Sequence, residues 1–314
     1  MALADDLRAA VRDHLAGRPG ASWQGCAREL GLAGLMIPER HGGAGCGPLE
    51  MAAVAEELGR VLSPHPFLQS AVMAVAALRA CEAGDELAAL AGGGTSATVV
   101  LPGDGDLRLD GDLLTGEVPY APAGDLVLAY VNGLLVTAEP AERETYVTMD
   151  ESRPLQRLRF DAAPARLLGD GGSWARVRDL GITALAAEQV GGAARCLEMA
   201  VEHAGRRHQF GRPIGSFQAI KHKLADVLLL VESARSAALG AAADVGEVSA
   251  AIAGSYCTEA YLTAAGENIQ VHGGIGITWE HPAHRYFKRA TSDAQLFGPP
   301  QAHRARLGAH VFGD

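Results

Sequence analysis

Residues 207–218 read Arg-His-Gln-Phe-Gly-Arg-Pro-Ile-Gly-Ser-Phe-Gln, and the fold turns on how this short run is read. It lies between two long stretches whose apolar residues recur at helical spacing. Upstream, Leu185, Val190, Leu197 and Val201 mark a helix over roughly 182–206. Downstream, Ile220, Leu224, Val227, Leu228 and Val231 mark another over roughly 216–244, with Ser216 as the expected N-cap. Gly211, Pro213 and Gly215 make the run between them a joint, with an arginine and an aromatic at its lip. A second joint, Gln270-Val271-His272-Gly273-Gly274-Ile275-Gly276, closes a third helix over roughly 250–271. Long helices striped with alanine and leucine predict an antiparallel bundle.

The chain changes character further upstream. From Ser96 to about Leu168 the apolar period drops to two, with strand-like runs at 98–101, 126–131 and 134–137. Asn132-Gly133 between two such runs predicts a tight hairpin, and Gly169–Gly172 a linker. Residues 1 to about 93 read as helices. Leu7, Val11 and Leu15 mark the first, ended by Gly17–Gly20; Trp23–Leu32 forms the second; Pro48 sits in the first turn of the third; one or two more follow over 66–90. The expected architecture is mainly α with a small middle β domain: an N-terminal helical domain over 1–93, the β domain over 94–170 and a C-terminal helical bundle over 171–314.

The totals narrow the function classes. With 314 residues, 48% apolar and 5% aromatic, the chain can bury a large core. A net charge of −10 speaks against a nucleic-acid surface. Lysine occurs only at 221, 223 and 288, so arginine carries the cationic roles, as suits planar phosphate and carboxylate contacts. The five cysteines are scattered and never form a Cys-x-x-Cys pair, which argues against a zinc site or disulfide framework. No signal peptide or membrane span is visible, and a cytoplasmic location is expected.

The two joints, together with Trp23–Gly45, Glu56-Glu57-Leu58-Gly59-Arg60 and Gly273-Gly274-Ile275-Gly276-Ile277-Thr278-Trp279-Glu280-His281-Pro282, resemble the acyl-CoA dehydrogenase family. The resemblance is strongest at 204–225 and 266–290 and weakest in the β domain. It implies an FAD cofactor and an acyl thioester, on CoA or a carrier protein. A carboxylate base would remove the α proton while a β hydride passes to the flavin. It also implies a dimer or tetramer in which the ADP half of each FAD is held by a neighbour.

Carried over residue by residue, Arg207 faces the pyrophosphate with forked donors. Phe210 packs against the adenosine, Gln218 and Gln270 offer amides, and Gly273 and Gly274 let backbone approach the cofactor. Taken singly, Arg207 could equally be a surface helix-end cation and the glycines a C-cap.

The ring end departs from the family. Leu101-Pro102-Gly103-Asp104-Gly105-Asp106 carries aspartates where hydroxyls are expected, and Tyr120 and Pro122 stand where a tryptophan and a threonine would be. Proline can donate nothing to a flavin. The family's two alternative positions for the base hold Phe297 and Gly181. Glu188, two helical turns past Gly181 on roughly the same face and about 10 Å along the axis, is the carboxylate that could serve as a displaced base. The pattern resembles the smaller, base-lacking subunit of heteromeric actinobacterial members acting on bulky substrates, paired with a full-featured paralogue. Two alternatives stay open: a self-sufficient flavoenzyme using Glu188, and a flavin-free member serving as scaffold or in non-redox chemistry. His272, His281 and His284 read as structural histidines without metal-site spacing, and Trp279 as core.

Overall fold

The computed structural model describes residues 2–18 and 20–313; Pro19, within the stretch expected to end the first helix, lies outside the described residues. The chain is mainly helical with one sheet in its middle. Contacts divide it into two compact units. One runs up to Met51 and resumes over Pro64–Gly181; the other comprises Ala52–Ser63 and everything from Ile182 onward.

In the first unit, α1 (Ala2–Gly17) and α2 (Trp23–Leu30) are followed by the N-terminal part of α3 (Pro48–Arg60). Ser22 caps α2 by accepting from the Gly25 N–H at 3.1 Å, and Gly31 ends it in the left-handed region at φ 68°. A wide π turn over Phe67–Ala74 runs into α4 (Val75–Ala80), and α5 (Gly84–Ala91) completes the helical part.

The sheet contains β1 (Ala97–Val100), β2 (Arg108–Asp110), β3 (Leu113–Pro122), β4 (Leu126–Val131), β5 (Leu134–Ala138), β6 (Glu142–Thr145) and β7 (Leu155–Asp170). Its order is β1-β4-β5-β7-β3-β2, with β6 also paired to β7. Only β1 and β4 run parallel; the other pairs are antiparallel. Asn132 and Gly133 take φ 51° and 76°, the paired left-handed residues of a two-residue turn, so the β4–β5 hairpin forms where the sequence places it. Inward-facing Leu114, Val118, Val127, Val136, Leu158 and Phe160 make one apolar core. The expected linker at 169–172 is shorter than predicted, because Gly169 and Asp170 extend β7 by pairing with Leu135 and Leu134.

The second unit is the bundle: α6 (Trp174–Arg206, entering it at Ile182), α7 (Gln218–Ala243), α8 (Glu247–His272), α9 (Ala283–Leu296) and α10 (Pro300–Phe312). α6 begins eight residues before the apolar pattern suggested. Ser216 does not cap α7: its hydroxyl donates to the Pro213 carbonyl at 2.7 Å within a 3-10 turn, and Phe217 takes the cap position. Alanines at 193, 194, 264, 265 and 290 bring the helices close around Tyr261 and Tyr286. The C-terminal half of α3 belongs to this bundle. Gly59 lies so near the Glu188 carbonyl, and Gly191 so near that of Glu56, that a Cβ on either would collide with backbone. Arg235 pairs with Glu56, Arg60 with Glu198 at 2.7 Å, and the Tyr286 hydroxyl donates to the Arg60 carbonyl at 2.5 Å.

Among the described residues no helix is long and apolar enough to cross a membrane, and no group of His, Cys, Asp and Glu is placed to hold a metal ion. All five cysteines are free.

Candidate functional site

The joint after α6 is a miniature hairpin of β8 (His208–Gln209) and β9 (Arg212–Pro213). Arg207 anchors it through its backbone: its N–H donates to His203 O and its carbonyl accepts from Ile214 N–H, both at 2.8 Å. Its guanidinium is exposed and forms no hydrogen bond or ion pair among the described residues. The two turn residues, Phe210 and Gly211, take φ 52° and 76°. A left-handed conformation is ordinary for the glycine and strained for a bulky aromatic, and Phe210 is nevertheless 92% exposed at the tip. Its ring lies nearly perpendicular to that of Phe217, at 6.1 Å between centroids, and the Arg212 guanidinium stacks 4.0 Å over Phe217.

The second joint ends α8. Gly273, at φ 66° and ψ −143°, donates its N–H back to Ile269 O, so its conformation closes the helix and requires glycine. A Cβ on Gly273 or Gly274 would meet nothing within 4 Å. A small apolar cluster ties both joints to one end of the bundle: Ala200 and Ala204 of α6, Ile214 of the hairpin, Ile220 and Leu224 of α7, and Val271 of α8. Gln218 starts α7 and Gln270 lies in the last turn of α8; both are exposed. Gln270, Ile220, Leu262 and the ion pair Lys223–Glu267 line a groove of about 500 Å³ between α7 and α8. The bundle thus brings all six candidate binding residues (Arg207, Phe210, Gln218, Gln270, Gly273 and Gly274) to one end, facing solvent. A guanidinium, two amides, an exposed ring and side-chain-free backbone form a donor set suited to a diphosphate with an adjoining aromatic base.

The residues at the two base positions cannot take a proton. Gly181 has no side chain, and Phe297 is the half-buried residue ending α9. Glu188, largely buried, forms an ion pair with Arg289, which is only 2% exposed and also donates to Ser63 O at 3.1 Å. Accepting a proton would remove a negative charge from beside a buried guanidinium, so the pairing favours a structural role. Sequence spacing could not have found Arg289, because it approaches from a helix about a hundred residues away.

In the β domain the departures from the family are occupied by backbone work. Asp104 closes its own turn, its carboxylate accepting from Leu101 N–H at 2.8 Å. Asp106 accepts from Glu117 N–H at 2.7 Å. Pro122 ends β3 opposite Leu155, and Tyr120, 69% exposed, lies against Tyr146 at 5.6 Å. Asp104, Asp106 and Pro122 offer no side-chain donor to a flavin ring's carbonyl oxygens and nitrogens, which leaves the exposed Tyr120 hydroxyl as the one side-chain donor of the four, a poor fit to that group.

Trp279 is not core. It is 63% exposed, with the Lys288 ammonium 4.4 Å above its ring and His284 edge-on at 4.7 Å. His272 and His281 instead stack with His203, a residue the sequence did not single out, at 4.1 and 4.3 Å between neighbouring centroids.

Comparison with known proteins agrees with this layout. Residues 3–86 match the acyl-CoA dehydrogenase N-terminal domain and residues 180–312 the acyl-CoA dehydrogenase C-terminal domain. Acyl-CoA dehydrogenase IpdE2 of Mycobacterium tuberculosis is 39% identical over 308 residues, covering 97% of this chain and 92% of that protein. Among solved structures, the ChsE4-ChsE5 complex from Mycobacterium tuberculosis superposes with a TM-score of 0.88 at 27% identity, covering 100% of this chain and 98% of the matched one. The Tcur3481-Tcur3483 steroid ACAD G363A variant superposes with a TM-score of 0.84 at 29% identity, covering 99% and 96%.

Proposed function

Since this chain belongs to the acyl-CoA dehydrogenase family, we propose that it acts as the base-lacking subunit of a heteromeric acyl-CoA dehydrogenase. In this assignment a paralogous partner supplies the carboxylate base and the flavin-ring contacts. This chain supplies Arg207, Phe210, Gln218, Gln270, Gly273 and Gly274 to the ADP end of the partner's FAD. FAD, when bound, would accept the hydride of an acyl thioester's α,β-desaturation; this chain's part is to bind and orient the diphosphate and adenine.

The observation that carries the assignment is the contrast between exposed, unengaged residues at the ADP end and a missing base at both family positions. Support also comes from Leu228 and Leu229 on α7, which are 50% and 69% exposed in the single chain and suit a subunit contact. The two-component names of both solved neighbours point to the same arrangement, and the steroid ACAD among them makes a bulky ring-bearing acyl-CoA the first substrate to try.

The test is the visible spectrum of the chain purified alone and again after co-expression with a paralogous acyl-CoA dehydrogenase from the same organism. Yellow colour only in the co-purified complex is expected. Yellow colour in the isolated chain, bleached by an acyl-CoA, would make it a complete enzyme with Glu188 as the base to mutate. A colourless protein in both preparations would make it a flavin-free member of the family.

A further inference from the structure

Three imidazoles meet between the two joints. The rings of His203 and His272 lie 4.3 Å apart between centroids and those of His272 and His281 4.1 Å apart, tilted by 37° and 36°. Each comes from a different element: His203 from the last turn of α6, His272 from the end of α8, and His281 from the turn into α9. The stack is directly joined to the candidate binding residues. His203 O holds the Arg207 N–H at 2.8 Å, and His272 is the residue before Gly273.

Hydrogen bonding assigns the protons. Nδ1 of His272 faces the Asn268 carbonyl at 2.8 Å and therefore donates. Nδ1 of His281 receives the Ala283 N–H at 3.2 Å and therefore accepts. Protonating His281 there would set two N–H donors against each other at the entry to α9, besides placing a charge within a stack of rings.

The surroundings offer such a charge little relief. A cavity of about 260 Å³ lies against the stack, lined by Arg195, Met199, Glu202 and Arg206 of α6 together with the three histidines and Pro282, and it gives water access. Arg206 already pairs with Glu202 at 2.8 Å and Arg195 with Glu198 at 3.1 Å. Burial first, then the neighbouring His272, hold His203 below the ordinary histidine range, and Arg207 adds to this. His281 is lowered likewise by burial, then by His272, His203 and His284. Histidines lowered in the folded state take up protons more readily when released. Their contribution is therefore complete above about pH 6.5 and is lost as pH falls below that value.

We propose that the His203–His272–His281 stack is a positioning device that holds the Arg207 and Gly273–Gly274 joints in register for the ADP end of the flavin, and that proton uptake releases them; this rests on the subunit assignment above.

The test compares the wild-type chain with His281→Phe, which keeps a ring in the stack but cannot titrate. His203→Phe is the second variant should the first fail to fold. Hydrogen exchange on the flavin-free chain, corrected for intrinsic rates, is measured at pH 7.5 and 5.5. Peptides covering 203–212 and 270–277 are expected to lose protection by about tenfold in the wild type and to hold in the variant, with the sheet unchanged. Flavin release from the co-purified complex should accelerate by a similar factor, about tenfold, in the wild type only.

Equal loss of protection in wild type and variant, or none in the wild type, overturns the proposal. So does acid opening of the joints without faster flavin release. If Arg207→Ala leaves flavin retention untouched, the subunit assignment falls instead, while the exchange result on the isolated chain still reports on the stack.

Discussion

The bundle end of the molecule and the flavin-ring segments of its β domain use similar polar residues in opposite ways. At the bundle end, backbone groups satisfy one another: Arg207 is tied at both N–H and carbonyl, and Gly273 N–H closes its own helix. The side chains of Arg207, Gln218 and Gln270 consequently stay exposed to solvent. In the β domain, Asp104 and Asp106 turn their carboxylates onto neighbouring N–H groups, so their polarity is consumed locally. A polar side chain signals binding only when the backbone around it is already satisfied. Phe210 stands apart through strain, an aromatic held at positive φ and 92% exposed.

The contrast can be broken most sharply at Glu188. If its partner is Arg289 rather than a substrate, Glu188→Ala should lower unfolding free energy by about 3–5 kcal/mol, measured by urea denaturation. Replacing both residues by leucine should restore most of that loss. A Glu188→Ala chain of wild-type stability that has lost acyl-CoA turnover would instead make Glu188 the base.

Next comes Arg207→Ala, expected to weaken flavin retention in the co-purified complex by roughly 10- to 100-fold, from the loss of charged hydrogen bonds to phosphate. Equilibrium dialysis against FAD would measure it. Phe210→Asn should have a smaller and two-sided effect: asparagine tolerates positive φ, so thermal stability should hold or rise by up to about 1 kcal/mol while flavin retention drops several-fold. A simultaneous loss of stability would mean that the ring has a folding role after all. The smallest expected effect is that of Phe297→Glu, which restores a carboxylate but no ring contacts. Flavin bleaching by the isolated variant should remain undetectable, and its appearance would show that the ring end is more complete than Asp104 and Pro122 allow.

Much of the architecture was legible because its signals are local. The Asn132-Gly133 turn, Pro48 at a helix start and the alternating apolar runs each act within a few residues, and the structure has them where the sequence places them. The joints were legible because glycine and proline punctuate helices. Errors arose where a distant neighbour decides. Gly169 and Asp170 read as a linker, yet β5 recruits them into the sheet. Trp279 reads as core, yet it is 63% exposed, and what lies against its ring are the charged side chains Lys288 and Arg285 of α9 rather than apolar ones. The Glu188–Arg289 pair and the histidine stack join elements far apart in sequence, so no spacing rule announces them. His203 has no motif around it and becomes notable only beside His272.

The burial of residues 52–63 within the bundle bears on how the chain is made. During synthesis this half-helix leaves the ribosome well before Ile182, and it must wait for α6 and α7 to deliver Glu198 and Arg235. Topologically, residues 64–181 are an insertion spliced between the first element of the bundle and the rest. A fragment starting at residue 182 would contain every proposed ADP-end residue and yet present an open seam along α6 where Gly59 and Arg60 belong. An excised bundle should therefore aggregate as it is translated unless the dodecapeptide is supplied in trans or fused ahead of it, whereas removing 64–181 and bridging the gap with a short linker respects the order in which the bundle closes.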